Sequence, residues 1–151
     1  MKPQLVKSAG FTVIELVMAI VLIGVISALG IGLFASRSAF SPLLATQQLA
    51  SATLLAQQAA LAGNSAGTLT VEQAAESFRF TVGAGSPEAR VFSVERAGTS
   101  LTGVALPLTL SFNSLGEVSS GSSTSLTFAG DSTYQTCISS LGAVYSGGCL
   151  P

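Results

Sequence analysis

The chain has 151 residues, of which 48% are apolar and only 9% charged, and six Lys/Arg against seven Asp/Glu leave a net charge of −1. That length suits one domain, and the charge balance argues against a nucleic-acid binder, which needs a dense basic face. There is no His, which excludes His-based catalytic triads and His-ligated metal sites, so no cofactor or metal is expected.

Residues 1–10, MKPQLVKSAG, are polar and carry Lys2 and Lys7. From Phe11 to Phe34 the only charge is Glu15, and 21 uncharged residues separate Glu15 from Arg37. A helix of that length rises about 31 Å, close to the thickness of a bilayer core. The lysines hold the amino end on the cytoplasmic side by the positive-inside rule. Three readings of this segment stay open on physics alone. It is a plain signal anchor, or a secretory signal peptide cut near Ala28-Leu29-Gly30, or a helix in which the carboxylate is the point. An intramembrane Glu is costly unless paired or protonated, and so is functional by default.

The string Lys7-Ser8-Ala9-Gly10-Phe11-Thr12-Val13-Ile14-Glu15-Leu16 resembles the class III signal of type IV pilins and pseudopilins. The resemblance covers roughly the first 40 residues. It implies that a prepilin peptidase cuts between Gly10 and Phe11 and methylates the new amino group of Phe11. Residues 1–10 are then a leader, and the mature chain keeps four cations and seven anions. The family places Glu at the fifth mature position, which is Glu15 here. Cleavage leaves an ammonium on Phe11, four residues from that carboxylate. In a filament the better partner for Glu15 is the ammonium of a neighbouring subunit, and that pairing would fix the axial register. The resemblance further implies a single-pass inner-membrane protein that an assembly platform draws into a fibre with other pilin subunits.

Residues 11–36 are thus read as the transmembrane and filament-core half of one long helix, and residues 37–62 as its amphipathic half. Gly24, Gly30 and Gly32 weaken the first half, and Pro42 marks a kink or boundary. Many pilins carry a Pro where Gly32 stands, so Gly30, Gly32 and Pro42 are the hinge candidates. Leu43, Ala50, Leu54 and Leu61 recur at helical spacing and are expected to cover the sheet. No charge occurs from Ser38 to Val71, so the opposite side is expected to pack as well, against other subunits. Gly63-Asn64 reads as the helix stop.

Residues 63–151 are read as a β-rich head. Val71–Glu76 is expected as a turn of helix or a connector. Alternation at Phe78/Phe80/Val82, Phe92/Val94, Leu106/Leu108/Leu110/Phe112 and Leu126/Phe128 predicts four or five short antiparallel strands with one buried face. Pro107 suits a strand start or edge. Ser119–Ser125 reads as a flexible loop, and Asn113-Ser114-Leu115-Gly116 as a turn similar to one in minor pseudopilins of the FimT/pseudopilin-H type. The fold class is α+β, a long amino-terminal helix packed on a small antiparallel sheet.

Cys137 and Cys149 are the only cysteines, and an oxidising compartment predicts a disulfide between them, worth about 3 kcal/mol. Carboxy-terminal disulfide loops are typical of type IV pilins, and the whole resembles minor pilins of the mannose-sensitive haemagglutinin (MSHA) type. The alternative is a minor pseudopilin of a type II secretion system, which shares the leader. A DNA-binding competence pilin needs more cations than Arg79, Arg90 and Arg96. An enzyme is not expected. Asp131 stands alone, and Glu72 and Glu76, four apart, read as surface decoration.

Overall fold

The computed structural model describes residues 11–34 and 37–150. The chain divides into two units, 1–36 and 37–151. In the first, α1 runs from Val13 to Phe34 without a break at Gly24, Gly30 or Gly32. In the second, α2 (Arg37–Leu61) is followed by eight strands. The predicted α+β class therefore holds, with an amino-terminal helix, a second helix and antiparallel sheet.

The strands form two sheets rather than the one expected. The first has the order β3-β2-β1-β5, from β1 (Thr68–Gln73), β2 (Ser77–Val82), β3 (Arg90–Glu95) and β5 (Leu108–Ser111). The second has the order β4-β6-β7-β8, from β4 (Ser100–Thr102), β6 (Thr124–Ala129), β7 (Thr133–Ile138) and β8 (Val144–Ser146). Every pairing is antiparallel. Two of these strands, β4 and β8, have only three residues, too few to show alternation in sequence. Pro107 precedes the edge strand β5, as its missing amide requires.

Val71–Glu76 is a correction. Val71, Glu72 and Gln73 belong to β1, where Glu72 lies opposite Arg79 in β2, so Glu72 and Glu76 do not share a helix face. Glu, Gln and Ala lean towards helix, but Leu69 and Val71 alternate with threonines and fill the core face of the sheet. That cross-strand packing overrides propensity. The serine-rich stretch is divided, with Ser119–Ser123 in a connector and Thr124 and Ser125 in β6.

One helix covers both sheets. α2 touches β1, β2 and β3 of the first and β6, β7 and β8 of the second. Phe78 and Phe80 of the first sheet meet Phe128 of the second edge-to-face, with centroids 5.3 and 6.5 Å apart. All three rings are fully buried, and each such burial stabilises by about 2–3 kcal/mol. Arg96 closes one end of this aromatic group. Its guanidinium lies 5.8 Å from the Phe78 ring centroid and donates to the carbonyls of Ala74, Ala75 and Thr99 at 3.0, 3.2 and 2.9 Å.

The face of α2 turned to the sheets is not the predicted stripe. Ala45, Leu49, Ala52, Thr53, Ala56 and Ala60 are buried, whereas Leu54 is 53% and Leu61 58% exposed. Leu43 and Ala50 are half-buried. The physical reason is distance, since alanines let the helix axis approach two sheets whose inward side chains are already large. A stripe of leucines on that face would hold the helix too far out.

The first turns of α2 are fastened to turns of both sheets. Ser41 Oγ is 2.8 Å from both the Glu95 and Arg96 carbonyls. Ser132 Oγ donates to the Ala39 carbonyl at 2.7 Å, and Ser38 bonds Asp131. Pro42 lies inside α2 and is fully buried, packed over Gly130, where a Cβ would come within 3.3 Å of its ring. At the other end Gly63, at φ 70°, turns the chain out of the helix. The Asn64 amide reaches the Ala59 carbonyl at 2.9 Å and the Gly63 amide reaches Ala60 at 3.0 Å, so the Gly63-Asn64 stop is present.

Candidate functional site

The candidate site is the start of α1. Gly10 lies outside the described residues, and Phe11 is 92% exposed. The Thr12 amide and the Thr12 hydroxyl both donate to Glu15 Oε2 at 2.8 Å, while the Glu15 amide returns a bond to Thr12 Oγ1 at 3.3 Å. This is a reciprocal helix cap, in which the residue before the helix and the third residue along it satisfy each other's free groups. The pattern Thr12-x-x-Glu15 is the sequence signal for it, which the isolated charge of Glu15 overshadows. With this cap made, the carboxylate has two donors from its own chain. It also sits where the partial positive charge of a helix start favours an anion.

Beyond Glu15, α1 carries no charge, and no residue from Val13 to Leu29 is buried within the unit. Val13–Gly30 is long and apolar enough to cross a membrane. Of the hinge candidates, Gly30 and Gly32 lie within α1 and Pro42 within α2.

The second predicted feature is at the other end of the chain. Cys137 and Cys149 are joined in a disulfide with Cα atoms 5.0 Å apart. Cys137 is in β7 opposite Tyr145 of β8, so the bridge ties the last residues across the final hairpin. The Leu150 amide adds a bond to the Tyr145 hydroxyl at 3.1 Å. No family model, no curated protein and no solved structure matches this chain. What the chain does must therefore be argued from its own residues. Among the described residues, no three of His, Cys, Asp and Glu gather as a metal-holding group.

The sequence reading also missed Gln57. Its Nε2 donates to the Gly116 carbonyl at 3.1 Å and to that of Gly142, fastening two turns to the helix. A glutamine among alanines on a long helix gives no periodic signal, so nothing in the pattern marks it.

Proposed function

We propose that the chain is a type IV pilin-like structural subunit, in the manner of an MSHA-type minor pilin. It is inserted once through a bacterial inner membrane with its amino end in the cytoplasm. Prepilin peptidase cuts it between Gly10 and Phe11 and methylates Phe11, and an inner-membrane assembly platform draws it into a fibre beside other pilin subunits. In this reading Glu15 exchanges the hydrogen bonds of Thr12 for, or shares them with, the Phe11 ammonium of a neighbour. The disulfide between Cys137 and Cys149 supports an oxidising compartment for the head, outside the cytoplasm.

The single observation that carries the reading is α1 itself. It is an apolar helix whose residues from Val13 to Leu29 are all exposed, with one carboxylate set in its first turn four residues after the proposed new amino terminus. A plain anchor needs the apolar run but has no use for the acid. The mature chain purified from its host is expected to begin at methylated Phe11 by mass spectrometry. A start at Met1, or one near Gly30, overturns the processing step. Glu15→Ala and Glu15→Gln are expected to be cut and inserted normally yet to be depleted from filaments. Normal incorporation of both removes the role given to Glu15.

A further inference from the structure

The hydrogen bonds around β2 fix which way the backbone of β3 points. The Arg96 amide donates to the Glu76 carbonyl at 3.0 Å, one step beyond the pairing of Ser77 with Glu95. In an antiparallel ladder only alternate pairs exchange bonds. Arg90, Phe92 and Val94 are therefore the residues bonded to β2, and the amides and carbonyls of Val91, Ser93 and Glu95 point to the outer edge. The other side of β2 agrees. The Gly83 amide donates to the Thr68 carbonyl and the Ala74 amide to the Ser77 carbonyl, both at 2.8 Å, which assigns Arg79 and Thr81 to β1 and leaves Phe78, Phe80 and Val82 for β3. The Ser41 hydroxyl marks the same edge, since it donates to the outward Glu95 carbonyl at 2.8 Å.

Among the described residues no strand pairs with that outer edge, because β3 ends the order β3-β2-β1-β5. The other sheet edges are blunted in ways that discourage pairing. β4 and β8 have three residues each, and β5 has four and follows Pro107. β3 has six, RVFSVE, with no Pro, no Lys and charges only at its two ends. α2 runs past both of those ends. Ser41 holds the Glu95 carbonyl at one, and at the other the helix and the strand border a cleft of about 280 Å³. Buried Val82 and half-buried Leu55 and Ala59 line the cleft, together with exposed Gln58, Glu88 and Arg90.

The chemistry of this edge names its occupant. Amide and carbonyl groups offered together at every second residue match another extended backbone. A peptide laid along an edge strand takes its affinity from such backbone bonds and its selectivity from pockets for alternate side chains. We propose that β3 takes up an extended segment of another protein as a fifth strand of the first sheet, antiparallel to it. The bound segment exchanges hydrogen bonds with Val91 and Ser93 and accepts one from the Glu95 amide, the Glu95 carbonyl being held already by Ser41. Its residues opposite Phe92 and Val94 extend the apolar face that these two half-buried side chains present to the core. Its residue opposite Arg90 places an apolar side chain in the cleft. The residues between lie on the outer face beside Val91 and Ser93, whose neighbours there are Thr81 and Arg79, and are polar. This binding goes beyond subunit assembly and uses the head alone.

The test presents a phage library of random dodecapeptides to the oxidised full-length chain in detergent. Selected peptides are expected to alternate apolar and polar residues, and one of them is then synthesised with a fluorescent label. Ser93→Pro removes an outward amide and no bond to β2, so the head should keep its urea midpoint while the labelled peptide binds about tenfold more weakly or worse by anisotropy. Gln58→Trp fills the cleft from an exposed position and should weaken binding by a similar factor. In the parent, the peptide should slow hydrogen exchange at the amides of Val91, Ser93 and Glu95, while those of Phe92 and Val94, bonded to β2 already, change least. Binding elsewhere on the head does not produce that alternation, and it decides the matter should Ser93→Pro itself lower the urea midpoint. A library that yields no peptide, a peptide that both variants bind as well as the parent, or protection without the alternation overturns the proposal. None of these outcomes bears on cleavage after Gly10 or on filaments, so the pilin-like reading stands or falls by its own tests.

Discussion

Replacing Leu49 and Leu54 by alanine, one at a time, weighs the two faces of α2 against each other. Leu49 is fully buried in the cluster that holds Phe78, Phe80, Phe128 and Leu126, and Leu54 is 53% exposed five residues later. Truncating Leu49 removes three carbons from the core, about 2.5 kcal/mol by transfer alone. The cavity left between a helix and two sheets that cannot both follow it raises this to about 3–5 kcal/mol. Truncating Leu54 removes atoms already half in water and should stay within about 0.5 kcal/mol, as for most surface changes. With a urea slope of about 2 kcal/mol/M, the first variant shifts the unfolding midpoint of the head by about 1.5–2.5 M and the second by a few tenths. The assay is urea unfolding of the oxidised full-length chain in detergent, followed by far-ultraviolet circular dichroism, with α1 held in the micelle as a constant background. Equal shifts, or a larger one for Leu54→Ala, would refute the assignment of the alanine face to the core and restore the leucine stripe predicted from sequence.

Two further outcomes follow from particular contacts. Cys137→Ser with Cys149→Ser should cost about 3 kcal/mol of head stability and expose residues 148–150 to proteolysis first, because the bridge and the Tyr145 hydroxyl are what hold them beyond the Gly147 amide's bond to the Gln135 carbonyl; an unchanged urea midpoint would show that the bridge contributes nothing. Thr99 is fully buried and its Oγ1 has no hydrogen-bond partner among the described residues, so Thr99→Val should leave stability unchanged or raise it by about 1 kcal/mol, and a clear loss in thermal denaturation would reveal a bond to that hydroxyl.

The readable parts of the fold were those where one physical demand acts alone. An uncharged run from Leu16 to Ser36 admits only a helix if it meets lipid, and Gly63-Asn64 ends α2 because glycine takes the positive φ that the exit needs. Alternating phenylalanines, as in Phe78-Arg79-Phe80, leave no doubt about strand or inward face. Where two demands compete, the pattern fell silent. Both faces of α2 are apolar, and choosing between alanine and leucine requires knowing how near the sheets stand. β1 mixes Glu and Gln with Thr and Val, and only its two neighbours decide it. Whether eight strands make one sheet or two depends on which edges meet, and alternation within a strand carries no record of that. At the candidate site the carboxylate was legible from its isolation, whereas the cap with Thr12 is written only in the short Thr-x-x-Glu spacing, which the charge overshadows.

The distribution of alanine and leucine on α2 bears on function as well as packing. A head designed only to be stable in water would put its leucines inward and charges outward, since surface Lys and Glu add solubility and helix support at little cost. This helix puts Ala45, Ala52, Ala56 and Ala60 inward, where they permit close approach, and leaves Phe40, Leu44, Leu54 and Leu61 outward, where the isolated head gains nothing from them. The polar residues between them, Gln47, Ser51 and Gln58, are uncharged, so they tolerate water without the desolvation penalty that an ion would carry if this face were buried. On the proposed pilin-like reading, such a surface stays soluble before assembly and loses its water in the fibre. Placing a single lysine there, as in Ser51→Lys, separates the two requirements. It should leave the urea midpoint of the head where it was, while filament incorporation falls by about tenfold or more, as expected when an unpaired ammonium is buried in an interface. If Ser51→Lys assembles as well as the parent, the outward row of α2 faces water in the fibre, and its leucines have no part in holding subunits together.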